Sequence, residues 1–81
     1  MIKVGIVDDH AIVRSGLKQF LAEHVDLRVV GEAANGREAI DLVRKEEIDV
    51  LIMDLSMPGQ SGIDALAMLR AKAPDMGILI L

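Results

Sequence analysis

The chain contains no cysteine, tryptophan or tyrosine, and Phe20 is its one aromatic residue. Without cysteine it can form neither a disulfide framework nor a thiolate metal site. With so few aromatic side chains, the core has to be built from Val, Ile, Leu, Ala and Met. This composition suits strands that are covered on both faces, because such strands appear in a sequence as continuous apolar runs.

Long hydrophobic runs and an excess of basic residues are also missing. The apolar runs are far shorter than the roughly 20 residues that a membrane-spanning helix needs, and the first residues resemble neither a signal nor a transit peptide. The formal net charge of −4 argues against nucleic-acid binding by this segment itself, since a phosphate backbone attracts a basic surface. With 81 residues, we expect one cytosolic domain that does not contact a membrane.

Strand and helix patterns alternate along the chain. Four apolar runs predict strands, at residues 2–7, 27–31, 48–53 and 77–81. Helical patterns lie between them. The resulting order β-α-β-α-β-α-β predicts an α/β fold with a mainly parallel sheet, although spacing alone does not determine the order of the strands in that sheet.

The first predicted helix is expected to bury one apolar face, with Asp9 as its N-cap. Residues at spacings of three and four share that face. They are Val13, Leu17, Phe20, Leu21 and His24. Arg14 and Lys18 fall elsewhere on the helix.

Capping signals precede the other two helices. Asn35 and Glu38 have the spacing of a capping box, and Ser61 is a candidate N-cap for the third helix, which is expected to end before Pro74. The apolar residues expected to face the core are Ala39, Ile40, Val43, Leu66 and Leu69.

Acidic residues directly follow two predicted strands. Asp8 and Asp9 end the first, and Asp54 ends the third. Ligands of open parallel sheets bind outside the carboxyl ends of the strands, and neighbouring strands lie about 4.8 Å apart. If these two strands are neighbours, three carboxylates crowd one cleft. A hard divalent cation would offset that repulsion, and oxygen ligands with bound water favour Mg²⁺.

A simpler interpretation competes with the metal site. A single Asp after a strand is usually a helix cap, and Asp9 alone fits that role. The acidic pair together with a second strand that ends in Asp is harder to explain by capping. Spacing alone leaves open a metal or catalytic site on one side and helix capping on the other.

Three segments resemble the receiver domain of two-component response regulators. They are Val-Asp-Asp-His at residues 7–10, Gly-Glu-Ala-Ala-Asn-Gly at residues 31–36, and Asp-Leu-Ser-Met-Pro-Gly at residues 54–59, followed by Gly62. The first two further resemble the NarL/FixJ type, in which a receiver is joined to a C-terminal helix-turn-helix domain that binds DNA. The resemblance implies a flavodoxin-like sheet in which the first strand lies between the second and third.

The resemblance also implies a role for each site residue. Asp54 would accept a phosphoryl group from a histidine kinase. Asp8 and Asp9 would hold Mg²⁺, and the backbone carbonyl of Ser56 would be a further ligand beside Asp54. Such a domain is a phosphoacceptor signalling module and not an enzyme, with at most self-catalysed phosphotransfer and dephosphorylation.

By the same resemblance, residues 1–81 would be the N-terminal part of a receiver. A Thr or Ser after the fourth strand, a Lys after the fifth and the DNA-binding domain would lie beyond Leu81. This implies an alternative, a fragment that cannot carry out phosphotransfer and acts as an interaction module. The apolar fourth strand would then pair or exchange with a second copy.

Two smaller questions concern His10 and a different enzyme class. His10 is either a metal ligand or, as we favour, a residue at the start of the first helix, near the cleft but not bound to metal. Haloacid-dehalogenase-like phosphatases also use an Asp nucleophile, but they expect Asp-x-Asp where this chain has Asp8-Asp9-His10. That class is therefore disfavoured.

Overall fold

The computed structural model describes residues 1–55 and 62–81. Within these ranges strands and helices alternate as predicted. In chain order they are β1 (Ile2–Val7), α1 (Ala11–Ala22), β2 (Leu27–Ala33), α2 (Gly36–Lys45), β3 (Val50–Met53), α3 (Gly62–Lys72) and β4 (Gly77–Ile80).

The strands form one parallel sheet in the order β2-β1-β3-β4. The predicted α/β fold is thus confirmed, and β1 lies between β2 and β3. One face of the sheet packs against α1 through a cluster that includes Val4 and Ile6. The other face packs against α2 and α3 through a larger cluster that includes Val7, Leu51 and Met53. Both central strands are therefore buried on two sides, which explains why each is a continuous apolar run.

Three strand boundaries differ from the prediction, the smallest difference being that β4 ends at Ile80 and not at residue 81. β2 continues past residue 31, because Glu32 and Ala33 still pair with Ile6 and Val7 of β1. β3 begins later than residue 48, because the chain bends at Asp49. The side chain of Asp49 accepts a hydrogen bond from the backbone N–H of Lys3 there.

The predicted apolar face of α1 is largely wrong. Leu21 is buried and Leu17 is partly buried, but Val13 is 40% exposed and Phe20 is 60% exposed. His24 is exposed beyond the helix end, where its ring contacts Phe20 edge-on. α1 lies mainly over β1 and β2, and Leu21 in its last turn shares a cluster with Ile52 of β3, so only a narrow stripe of the helix is covered.

The predicted N-cap of α1 is also wrong. The capping position belongs to His10, whose backbone is extended and whose side chain makes no capping hydrogen bond. Asp9 lies one residue before it, and its carboxylate lies near those of Asp8 and Asp54. The capping interpretation of Asp9 therefore fails, which strengthens the competing interpretation of the acidic residues.

The predicted capping of α2 by Asn35 is confirmed, but the return bond of Glu38 reaches the residue before the N-cap and not the N-cap itself. The backbone N–H of Glu38 donates to Asn35 Oδ1 at 2.9 Å, and Glu38 Oε1 accepts the N–H of Ala34 at 2.9 Å. Ala39 and Ile40 are buried and Val43 packs against the same core. The start of this helix was predictable because both partners of the motif are local.

The third helix is confirmed in part. Leu69 is buried, Leu66 is partly buried, and Ala65 takes the remaining core position. α3 ends at Lys72, before Pro74 as predicted, and Arg70 Nη1 donates to the carbonyls of Pro74 and Met76. The predicted cap Ser61 lies outside the described residues. Across the described ranges, every helix is too short or too polar to cross a bilayer.

Two glycines let α2 approach the sheet closely. Gly5 and Gly31 are paired across β1 and β2, and a Cβ atom on either would meet the side chain of Leu42. At Gly5 the added atom would also lie 2.9 Å from both Ile48 Cδ1 and Leu51 Cδ1. The glycine pair therefore forms a recess that Leu42 fills.

Gly5→Ala is expected to lower the free energy of unfolding by about 1–3 kcal/mol, because the packed side chains of Ile48 and Leu51 have to shift. Gly16→Ala is the matched control, since nothing lies within 4 Å of its added Cβ. Within a helix this change should raise stability by about 0.5–1 kcal/mol. Urea unfolding of both variants measures the difference. Equal stability of the two variants would contradict the tight packing of side chains over Gly5.

Candidate metal centre

The sheet brings Asp8 and Asp54 to the same edge. Val7 and Met53 are the last paired residues of β1 and β3, and each is followed by an aspartate. The backbone N–H of Asp54 donates to Val7 O at 3.0 Å, and that of Asp8 donates to Ala33 O at 3.0 Å. The adjacency on which the predicted site depends is therefore present.

Four side chains converge at this edge. One potential ligand atom from each of Asp8, Asp9, His10 and Asp54 lies within 4.8 Å of the others. Asp8 is 3% exposed, Asp9 and Asp54 are partly buried, and His10 is exposed. The structure thus brings together the three predicted aspartates and adds His10. Ser56, the predicted backbone ligand, lies outside the described residues.

His10 is positioned by the acidic pair. Its backbone N–H donates to Asp8 Oδ1 at 2.7 Å, and its ring Nδ1 lies 2.9 Å from the same oxygen. The hydrogen bond to Asp8 and the negative charge of Asp9 raise the pKa of His10 above its ordinary value. His10 is the N-cap residue at the start of α1, the position that the sequence favoured, and when protonated it offsets part of the negative charge of the cluster.

One oxygen of Asp9 has the surroundings of a cation ligand. Asp9 Oδ1 is buried and accepts no hydrogen bond from the described residues. His10 Nδ1 lies 3.0 Å away, but this contact lacks hydrogen-bond geometry. A buried acceptor without a donor is costly. A hard cation satisfies such an oxygen, and carboxylates are the ligands that Mg²⁺ prefers. The donor set therefore fits Mg²⁺.

An ion-pair network that was not predicted contacts the turn formed by Asp8 and Asp9, called the acidic turn below. Arg14 Nη1 donates to the backbone carbonyl of Asp8 at 2.6 Å, and Arg14 Nε donates to Glu32 Oε1 at 2.8 Å. Lys18, one turn further along α1, pairs with the other oxygen of Glu32. The hydrogen bonds from Lys18 and Arg14 lower the pKa of Glu32 below its ordinary value. The i, i+4 spacing of Arg14 and Lys18 is the signal that could have indicated a shared acidic partner.

Comparison with known proteins identifies relatives over almost the whole chain. The model of the response regulator receiver domain family matches residues 4–81. The chain is 44% identical over 80 residues to the uncharacterized transcriptional regulatory protein YhcZ of Bacillus subtilis. That match covers 99% of this chain and 37% of YhcZ. The chain therefore spans little more than a third of the length of that relative.

Solved structures agree in fold. The chain is similar to the response regulator domain of Thermotoga maritima CheB, with a TM-score of 0.92 and 38% identity, over 99% of this chain and 59% of that one. It is also similar to the isolated REC domain of RcsB from Salmonella enterica serovar Typhimurium, solved in the presence of the phosphomimetic BeF3⁻. There the TM-score is 0.90 and the identity 34%, over 98% of this chain and 59% of that one.

The lowered pKa of Glu32 leads to a pH-dependent prediction. Because the folded pKa lies below the ordinary value of 4.5, ionised Glu32 stabilises the fold above that pH. The contribution is lost as the pH falls through the folded pKa. Glu32→Gln should cost about 0.2–1 kcal/mol at neutral pH, the range of solvent-exposed ion pairs. Urea unfolding should show that the difference from wild type disappears in acid. A constant difference at every pH would contradict this prediction.

Proposed function

This chain belongs to the response regulator receiver domain family, and on that premise we propose that Asp54 accepts a phosphoryl group from a histidine kinase in the presence of Mg²⁺. As a receiver the chain is a signalling module. The observation that carries the proposal is the convergence of Asp54 with Asp8 and Asp9 at the ends of paired strands, with ligand atoms within 4.8 Å. No other part of the described chain gathers metal-ligating groups in this way.

The proposed reaction is one displacement at phosphorus. A carboxylate oxygen of Asp54 forms the new P–O bond, the P–N bond to the kinase imidazole breaks, and the product is an acyl phosphate. The backbone hydrogen bond from Asp54 to Val7 O holds Asp54 against the end of β1. Asp8 and Asp9 would hold the metal, with Asp54 and the Ser56 carbonyl as further ligands. Bound Mg²⁺ supplies positive charge against the transferring oxygens and the carboxylates.

The proposed output is control of transcription in the cytoplasm. The name of YhcZ describes a transcriptional regulatory protein, and that protein is longer than this chain. The net charge of −4 disfavours direct contact with DNA through residues 1–81. We therefore propose that DNA is bound by a separate output domain that responds to the state of Asp54.

Phosphorylation of Asp54 can be measured with acetyl phosphate and MgCl2 by intact mass spectrometry. We expect the mass of one phosphoryl group on the wild-type chain, removed by hydroxylamine as an acyl phosphate should be. Asp54→Asn should remain unmodified. Asp41→Asn, which changes an exposed carboxylate on α2, is the matched control and should be modified like wild type.

A fusion separates this proposal from the alternative of an inactive fragment. Residues 1–81 are joined to the sequence that follows the matched region in YhcZ. Modification of Asp54 in both the chain and the fusion supports the proposal. Modification of the fusion alone supports the alternative, a receiver segment that cannot carry out phosphotransfer by itself. Absence of modification in both would overturn the role of Asp54.

A second proposal concerns the edge of the sheet. β4 pairs with β3, and in the described ranges no strand occupies its other side. Leu79, Ile80 and Leu81 are all exposed there. Because an exposed apolar edge is a template for strand pairing, we propose that this chain self-associates through β4 or exchanges β4 with a second copy.

Sedimentation velocity at micromolar concentration tests this self-association. The wild-type chain should sediment as a dimer or larger species, and Leu79→Lys should shift it towards the monomer, because a charge blocks edge pairing. Ile12→Lys is the control, since Ile12 is also exposed but lies on α1. A wild-type monomer would overturn the proposal, as would an equal shift by both variants.

A further inference from the structure

The peptide of Asp8 is held at three points. Its N–H donates to Ala33 O of β2, its carbonyl accepts from Arg14 Nη1, and its side-chain Oδ1 accepts the N–H of His10. The contact with Ala33 comes from the adjoining strand, and the contact with His10 comes from the turn itself. Arg14 is the one contact that reaches this peptide from the body of α1.

Arg14 is itself oriented from the side of the sheet. Its Nε donates to Glu32 at 2.8 Å, and its side chain is only 17% exposed. Glu32 of β2 is paired with Ile6 of β1, and Ile6 lies two residues before Asp8. The guanidinium therefore connects the backbone carbonyl of Asp8 to a side chain of β2. The planar fork of arginine suits such a double contact better than a lysine amine does.

Apolar packing holds α1 only weakly. Leu21, in its last turn, is its one buried residue, while Ile12 and Val13 in the first turn are exposed. The orientation of the first turn relative to the acidic residues therefore depends on polar contacts. Of these, the Arg14 bridge is the one that joins α1 both to the acidic turn and to β2.

We propose that Arg14 is a positioning residue, which fixes the Asp8-Asp9 turn so that its carboxylates are preorganised for Mg²⁺. The inference rests on the proposed metal role of these residues. Groups that orient metal ligands without touching the metal typically change affinity by 10–100-fold when removed. Lys18 provides a matched comparison, because it pairs with the same Glu32 from the same helix but has no contact with the turn.

The test is a titration with MgCl2 followed by ¹⁵N NMR on the amides of residues 8–10 and 54, with urea unfolding in parallel. Arg14→Met should weaken Mg²⁺ binding about tenfold, while Lys18→Met should resemble wild type. Arg14→Lys should recover only part of the loss. Without metal, hydrogen exchange of the His10 amide should accelerate in Arg14→Met and stay unchanged in Lys18→Met. Equal Mg²⁺ affinity in the two methionine variants would overturn the proposal.

Glu32→Ala keeps the test decisive if Arg14→Met does not fold. It leaves Arg14 in place but removes the oxygen that accepts from its Nε, so Mg²⁺ affinity should fall further than in Lys18→Met, and equality would overturn the inference. The titration does not require phosphorylation. A wild-type chain that binds Mg²⁺ but takes no phosphoryl group would therefore contradict the proposed function alone. A wild-type chain that binds no Mg²⁺ would contradict the role of Arg14 as well.

Discussion

The parallel pairing of β1 with β3 is the constraint on which the rest of the structure depends. Val7 faces Met53 in the last pair, so the residues that follow, Asp8 and Asp54, have to meet. Carboxylates within 4.8 Å repel one another by roughly 3–4 kcal/mol for each pair at an effective dielectric constant near 20. Complete burial of each large apolar side chain in these strands contributes about 1.5–3 kcal/mol. The apolar core thus holds together charges that would otherwise separate.

The two faces of the sheet support this edge in different ways. On one face α2 is fitted tightly, since Leu42 fills the recess over Gly5 and Gly31. On the other face α1 is covered along a narrow stripe, and its first turn is fixed by hydrogen bonds and ion pairs. The tightly packed face sets the positions of the strands. The polar contacts of α1 set the orientation of the Asp8-Asp9 turn, where one oxygen of Asp9 is buried and accepts no hydrogen bond from the described residues, although His10 Nδ1 lies 3.0 Å away.

Much of the fold and the acidic site could be predicted because the signals are local. An apolar run that ends in aspartate marks a buried strand and its carboxyl end, and the Asn35–Glu38 box marks a helix start. The covered width of α1 could not be predicted, because periodicity identifies which residues share a face but not how much of that face is buried. Phe20 shows this most clearly.

The network around Arg14 was missed for a different reason. It joins residues 18 positions apart, and Glu32 lay outside the predicted second strand, so nothing placed it beside α1. The capping role expected of Asp9 failed because His10 takes the N-cap position. Contacts that depend on strand register and on the docking of one helix are decided by tertiary structure, not by local pattern.

The most direct test of the central claim is a titration of this chain with beryllium fluoride, followed by ¹⁹F NMR with and without Mg²⁺. The reagent is the phosphomimetic present in the structure of the RcsB REC domain. The account predicts a bound fluoride signal that requires Mg²⁺ and disappears in Asp54→Asn. A folded wild-type chain that shows no bound signal with Mg²⁺, or the same signal in Asp54→Asn, would contradict it.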